Sequence, residues 1–310
     1  MSNDNDRIEK MGIIGAGFMG TQIALQCAHH RFDVTIVDKS KESIQRSKDI
    51  LEEQLEKWGE VNEEVKNKKL KTKDRIHYTT ETEEGVKDAD LVVESVPEKL
   101  DLKKDVFSQL DSICSEETIL ATNSSSIKIS KIEEAVDRKD KVLNTHFYPP
   151  VWDRPMVELM RGTETSKETV VRVCEFFRDA SLTTLMVKKE STGFLFNRVW
   201  RAIKRETLHL VDDGVASHED VDRAWMIFTG MDVGPFGLMD TIGLDVVKDI
   251  EMIYYDESGE ERDHPPDLLL DKLEKGDLGV KSGKGFYEYP HPAYEDEEWL
   301  MGEEDCEDIL

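Results

Sequence analysis

Basic residues are in the minority in this chain: 41 Lys and Arg stand against 67 Asp and Glu, a formal net charge of −26 over 310 residues. A surface of that sign repels phosphates, which excludes nucleic acid as a partner class. Cysteine is sparse, and Cys27, Cys114, Cys174 and Cys306 lie far apart with no C-x-x-C pair. That spacing speaks against a disulfide framework and against zinc, so no metal is expected and the four read as reduced thiols. Long apolar runs are missing as well. No stretch reaches the roughly 18 apolar residues of a membrane span, and the opening Met-Ser-Asn-Asp-Asn-Asp is polar and acidic. Neither a membrane helix nor a secretory signal is indicated, and a cytoplasmic location is expected.

What is present suits a folded enzyme: 38% hydrophobic residues in a chain long enough for one large or two ordinary domains. The acidic surplus also reads as salt tolerance. Screening at high ionic strength relieves the self-repulsion of such a surface, the expectation for a halophilic source. The many remaining Lys residues keep an ordinary acidic cytosolic protein as the alternative.

Met11-Gly-Ile-Ile-Gly-Ala-Gly-Phe-Met-Gly20 reads as a short buried strand running into a glycine-punctuated turn. Gly15, Gly17 and Gly20 fit G-x-G-x-x-G: the first permits the tight turn, the second lets backbone approach a pyrophosphate, and the third packs helix on strand. The helix from Thr21 to His30 would offer free N–H groups to an anion. Val34-Thr-Ile-Val-Asp38 is a second strand ending in an acid, 18 residues past Gly20. There a carboxylate accepts hydrogen bonds from adenosine ribose hydroxyls and repels a 2′-phosphate, favouring NAD over NADP. The plainer reading of Asp38 is a cap on the next helix.

Residues 39 to 73 suggest long exposed helices. Further strands are expected at Ile76–Thr80, Ala89–Glu94, Thr118–Asn123 and Lys141–His146, with a helix from Leu100 to Leu110 and another before Lys141. Strands alternating with helices predict a doubly wound, largely parallel sheet whose ligand groups gather at the carboxyl ends of the strands. Ser124, Ser125 and Ser126 follow one such end, His146 closes another, and Glu158 comes twelve residues later. A histidine held by a carboxylate can take a hydroxyl proton as general base. Serines after a strand also serve as helix caps, and a lone histidine is often structural.

Beyond Met186–Glu190 the alternation stops and helices dominate: Gly193 to about Val211, Glu219 to Thr229, one entered at Gly234–Asp245, and Asp267 to Lys275. Asn197, early in the first of these between apolar residues, is either a polar group with a purpose or a structural hydrogen bond. The last 20 residues hold nine acids and no base, which predicts a mobile tail.

Together these segments resemble the 3-hydroxyacyl-CoA dehydrogenase family over roughly residues 7 to 290. The resemblance implies an N-terminal Rossmann domain over residues 1–189, a helical substrate and dimerisation domain over 190–291 and an acidic tail over 292–310. It places NAD on Gly15, Gly17, Gly20 and Asp38. Val-Glu-Ser-Val-Pro-Glu-Lys-Leu is similar to the family's stretch near the nicotinamide half, which would set Glu98 and Lys103 beside the cofactor. Asn123-Ser-Ser-Ser-Ile resembles the segment that carries a substrate-contacting serine, here Ser125, close to both ligands. His-Phe followed by Val-Glu supplies the catalytic pair His146 and Glu158. Gly-Phe-Leu-Phe-Asn-Arg maps the substrate-side asparagine to Asn197, and Lys281 in Lys-Ser-Gly-Lys-Gly-Phe-Tyr matches a basic position reaching toward NAD. Relatives generally dimerise, so a homodimer is expected.

The chain departs from the family at three points. After His-Phe the family usually continues Asn-Pro, whereas this chain has Tyr-Pro-Pro-Val-Trp-Asp-Arg-Pro. The cofactor-side asparagine is thus replaced by Pro149, and Trp152, Asp153 and Arg154 are expected to line or flank the cleft. The serine and lysine that hold CoA phosphates in some relatives fall on Gln54 and Val61. Finally, relatives acting on free hydroxy acids share the same His and Glu. Arg154 could pair with such a carboxylate, or equally with Asp153 or Glu158. The implied reaction is hydride transfer between C3 of a short-chain L-3-hydroxyacyl-CoA and NAD, as in fatty acid β-oxidation. Oxidation of a free 3-hydroxy acid, of L-gulonate or carnitine type, is the alternative, and NAD(H) binding without turnover a third.

Overall fold

The computed structural model describes residues 7–302, in two compact units that part between Leu195 and Phe196. The first unit runs β1 Lys10–Ile14, α1 Phe18–His29, β2 Asp33–Val37, α2 Lys41–Val61, α3 Glu63–Lys73, β3 Ile76–Thr79, α4 Thr82–Val86, β4 Leu91–Glu94, α5 Leu100–Ile113, β5 Ile119–Thr122, β6 Val142–Phe147, β7 Met156–Arg161, α6 Lys167–Asp179 and β8 Thr183–Val187. The strands form one sheet in the order β3-β2-β1-β4-β5-β6-β7-β8. Every neighbouring pair is parallel except β6 and β7, which are antiparallel.

The central strands are apolar almost throughout because helices cover both faces, so β4 and β5 are buried at every residue. One apolar cluster includes Ile13, Ile36, Leu91, Phe147 and Phe177, and the other Val92, Leu120, Phe107 and Leu110. The long α2, which buries Leu51, Leu55 and Trp58 on one face, begins where the Ser40 hydroxyl accepts the Ser43 N–H, and it ends at Asn62, whose side chain caps α3. No α-helix separates β5 from β6. Single 3₁₀ turns at Ile129–Lys131 and Glu133–Ala135 occupy that stretch. Asn144 on β6 accepts the Ile129 N–H at 2.8 Å and donates to the Ile127 carbonyl at 3.0 Å, taking up groups a regular helix would pair internally.

The second unit is helical: α7 Phe196–Asp212, α8 His218–Thr229, α9 Pro235–Ile242, α10 Leu244–Ser258, α11 Asp267–Glu274 and α12 Glu297–Met301. The first of these starts later than its sequence suggests, because Gly193 and Phe194 have φ of +76° and +54°, outside the right-handed helical region. Its core includes Leu208, Phe236, Met239, Leu244 and Leu269. Two buried carboxylates staple it. Asp222 accepts the N–H groups of Phe236 and Gly237 and the Tyr287 hydroxyl, and Asp240 those of Phe286 and Tyr287 with the Tyr289 hydroxyl.

The expectation of a mobile tail is corrected for residues 293–302. Arg223 stacks on Trp299 at 4.7 Å and donates to its carbonyl at 3.0 Å, and Tyr294 meets Tyr287 edge-on. Residues 303–310, with Cys306, lie outside the described residues. Cys27 and Cys114 are buried free thiols and Cys174 a half-buried one. No described helix is long and apolar enough to cross a membrane.

Candidate active site

The turn after β1 gives each glycine a distinct duty. Gly15 has φ +112°, and a Cβ there would sit 2.6 Å from the Ser95 carbonyl oxygen. A Cβ on Gly20 would run into the Gly15 carbonyl, so glycine is what lets α1 lie against the turn. At Gly17 a Cβ would meet nothing within 4 Å. That glycine is the N-cap of α1, whose first turn carries neither an acid nor a side-chain cap. The helix therefore presents unpaired N–H groups and open space to an anion, the cradle a dinucleotide pyrophosphate needs.

Asp38 follows β2 and is half-buried. Its carboxylate accepts the Ala16 N–H at 2.9 Å with one oxygen and the Ser40 N–H at 2.9 Å with the other. Cap of α2 is thus the duty of Ser40, while Asp38 ties the glycine turn to the neighbouring strand end. These residues fit NAD: a free helix terminus, a clear glycine and an adjacent carboxylate.

Glu98 gathers the serine run. It accepts the Ser126 N–H at 3.0 Å, the Ser126 hydroxyl at 2.8 Å and the Ser124 hydroxyl. Burial raises its pKa, but the bonds from Ser124 and Ser126 and the Lys103 charge outweigh that and hold the carboxyl below its usual range. Ser124 also accepts the Ile127 N–H, the capping use anticipated for such serines. Ser125, between them, is exposed and makes no hydrogen bond to the described residues.

Lys103, expected beside the cofactor, is turned inward and only 1% exposed. Its ammonium lies 2.8 and 3.0 Å from the two oxygens of Glu94 and 3.3 Å from Glu98. Glu94 is fully buried and also accepts the Val96 N–H and the Thr122 hydroxyl. A buried pair with its remaining groups satisfied is the arrangement in which such charges persist. Lys103 also donates to the Val96 carbonyl at 3.3 Å, and Glu98 is its partner nearest the surface.

The register of β6 against β7 sets His146 directly opposite Glu158. Nδ1 of His146 lies 3.2 Å from Glu158 Oε2, and both side chains are buried. The Tyr148 hydroxyl donates to the same oxygen at 2.8 Å, and the Leu195 N–H donates to Oε1 at 3.0 Å. Phe194 stacks on the imidazole with centroids 4.7 Å apart, and Tyr148 meets it edge-on at 4.6 Å. Sequence reasoning missed Tyr148, Phe194 and the Leu195 N–H. For Tyr148 a signal existed, since residues two apart along an extended strand point the same way.

The segment after β6 differs from expectation. Trp152 is tied to α2: its indole donates to buried Gln54 at 3.1 Å and stacks on Trp58 at 6.0 Å. The fusion of that loop to α1 is equally tight, with the Val151 N–H donating to Gln22 at 2.8 Å. Arg154 pairs with neither Asp153 nor Glu158; it is exposed and donates to the Pro149 carbonyl. In the helical unit, Asn197 is half-buried in the first turn of α7. Lys281 forms an exposed ion pair with Asp245 at 2.5 and 2.6 Å.

Known proteins resemble this one along nearly the whole chain. Residues 10–191 match the NAD-binding domain of 3-hydroxyacyl-CoA dehydrogenases and residues 193–289 their C-terminal domain. A 3-hydroxybutyryl-CoA dehydrogenase of Clostridioides difficile is 36% identical over 280 residues, covering 90% of this chain and 99% of that one. The crystal structure of (S)-3-hydroxybutyryl-CoA dehydrogenase from Ralstonia eutropha superposes with a TM-score of 0.84 at 32% identity, covering 92% of this chain and 100% of that one. A 5-formyl-3-hydroxy-2-methylpyridine 4-carboxylate 5-dehydrogenase of Mesorhizobium japonicum is 30% identical, covering 91% of each. With a dinucleotide turn, a buried His–Glu pair and matches across both units, the chain belongs to the NAD-dependent 3-hydroxyacyl-CoA dehydrogenase family.

Proposed function

We propose that this chain oxidises the 3-hydroxyl of a short-chain L-3-hydroxyacyl-CoA to the ketone, and that the His146–Glu158 pair is its proton acceptor. The observation that carries the reading is the cross-strand contact of those two side chains in a buried setting. With Nδ1 directed at Glu158, Nε2 is left to take the hydroxyl proton, and the carboxylate stabilises the imidazolium that forms. Ser125, the exposed hydroxyl of its run, donates to the oxygen that becomes the ketone. Asn197 is assigned the same duty on the resemblance alone. When bound, NAD supplies the hydride acceptor. Gly15, Gly17, Gly20 and the start of α1 hold its pyrophosphate, Asp38 its ribose, while Glu98, backed by Lys103, fixes the serine run; Lys281 is assigned to the cofactor by resemblance. The short acyl chain is supported by the similarity to 3-hydroxybutyryl-CoA dehydrogenases.

A free hydroxy acid is the second reading. Arg154, exposed and without an acidic partner among the described residues, is suited to a carboxylate, and one relative is named for a pyridine carboxylate. NADH oxidation with acetoacetyl-CoA beside free 3-keto acids separates them: turnover of the thioester supports the first reading, turnover of free acids alone the second. Light scattering on the purified chain tests the homodimer that the resemblance implies, and a monomer would end that proposal.

A further inference from the structure

We infer that Tyr148 is a positioning residue that tunes His146 by sharing the Glu158 oxygen to which the imidazole is held. The inference rests on the reading of His146 as the proton acceptor. A tyrosine that only filled space beside the ring could be phenylalanine, but this one is buried and spends its hydroxyl on the Glu158 carboxylate. On Oε2 it stands closer than the imidazole, 2.8 Å against 3.2 Å, while Oε1 receives the Leu195 N–H. The charge of one carboxylate is therefore shared by at least these three groups.

Two consequences follow for proton transfer. A buried carboxylate with several donors stays ionised, because each bond favours the charged form. Its pull on the imidazolium is also moderated, because the shared oxygen already carries a short bond from a neutral donor. Among the described groups in hydrogen-bond or ring contact with His146, Glu158 on β7 and Tyr148 beyond β6 titrate, and Phe194 does not. Of these, the Tyr148 hydroxyl is the group that meets both the ring and the oxygen that holds it.

The test compares pH–rate profiles for acetoacetyl-CoA reduction and 3-hydroxybutyryl-CoA oxidation by the full chain, unmodified, as Tyr148→Phe, and with 3-fluorotyrosine placed at position 148. Losing the hydroxyl returns Oε2 wholly to His146, so in Tyr148→Phe the limb set by the imidazole moves up by about 0.5–1 pH unit. The fluorinated phenol, a stronger donor, moves the limb down. Titration of isotope-labelled His146 followed by NMR reads the same displacement without turnover and with a direct view of folding. A limb and a His146 titration that stay in place, or that move alike in both variants, overturn the role of Tyr148. His146→Gln checks the underlying reading separately: if it retains full turnover, the proton acceptor itself is misassigned.

Discussion

At Gly17 and Gly20 one substitution has opposite consequences. Gly17→Ala adds a methyl where nothing lies within 4 Å, so thermal stability should hold while NAD affinity falls about tenfold or more, as measured by NADH fluorescence. Gly20→Ala drives the methyl into the Gly15 carbonyl and should cost roughly 1–3 kcal/mol in denaturant unfolding. His146→Gln should lower kcat by about 10²- to 10⁴-fold with NADH binding nearly intact, which steady-state kinetics beside direct binding would check. The glycines, Asp38 and His146 were legible because their signal is local: a turn, a strand end, a fixed spacing. Lys103 was not. Its sequence neighbours suggest a surface helix, and the partner that draws it inward, Glu94, belongs to another element.

The β6–β7 hairpin is where local reasoning stopped short. Its second strand, Met-Val-Glu-Leu-Met-Arg, does not alternate in the way that marks a strand, and the proline-rich connection masks the reversal of direction. Yet that reversal is what makes His146 and Glu158 cross-strand neighbours, so the residues were visible and the reason for their meeting was not. Between β4 and α5, replacing Lys103 with Met leaves Glu94 buried and uncompensated and should cost roughly 3–5 kcal/mol, read by urea denaturation. Adding Glu94→Gln should recover part of that loss. In the helical unit, burial pushes the Asp222 carboxyl up to about 6 from its ordinary 3.8, against the pull of its three donors. Between those values the folded state holds a proton that the unfolded chain has released. The stabilisation is complete below about pH 4 and is lost as pH rises through 6, an effect of about 3 kcal/mol. Asp222→Asn should flatten that part of the stability profile; a slope unchanged by the substitution would place its origin elsewhere.

For the whole molecule, the net charge of −26 sets a long-range repulsion that no single contact relieves. Raising salt from low to molar concentration should therefore lift the thermal midpoint, and greater stability at low salt would end the halophilic reading. The two-unit plan was legible from where strand alternation gives way to helices. The packing of residues 293–302 was not, since composition there is acidic and the order comes from Trp299 and Tyr294 finding partners far along the chain.

The cysteines carry a last consequence. Where the substrate is an acyl thioester, an ionised thiol of the enzyme is a competing acceptor for the acyl group. Burial pushes the Cys27 thiol far above its ordinary range and Cys114 up to about 11. Neither offers a thiolate at neutral pH, so burial withdraws these two thiols from reaction with an acyl thioester.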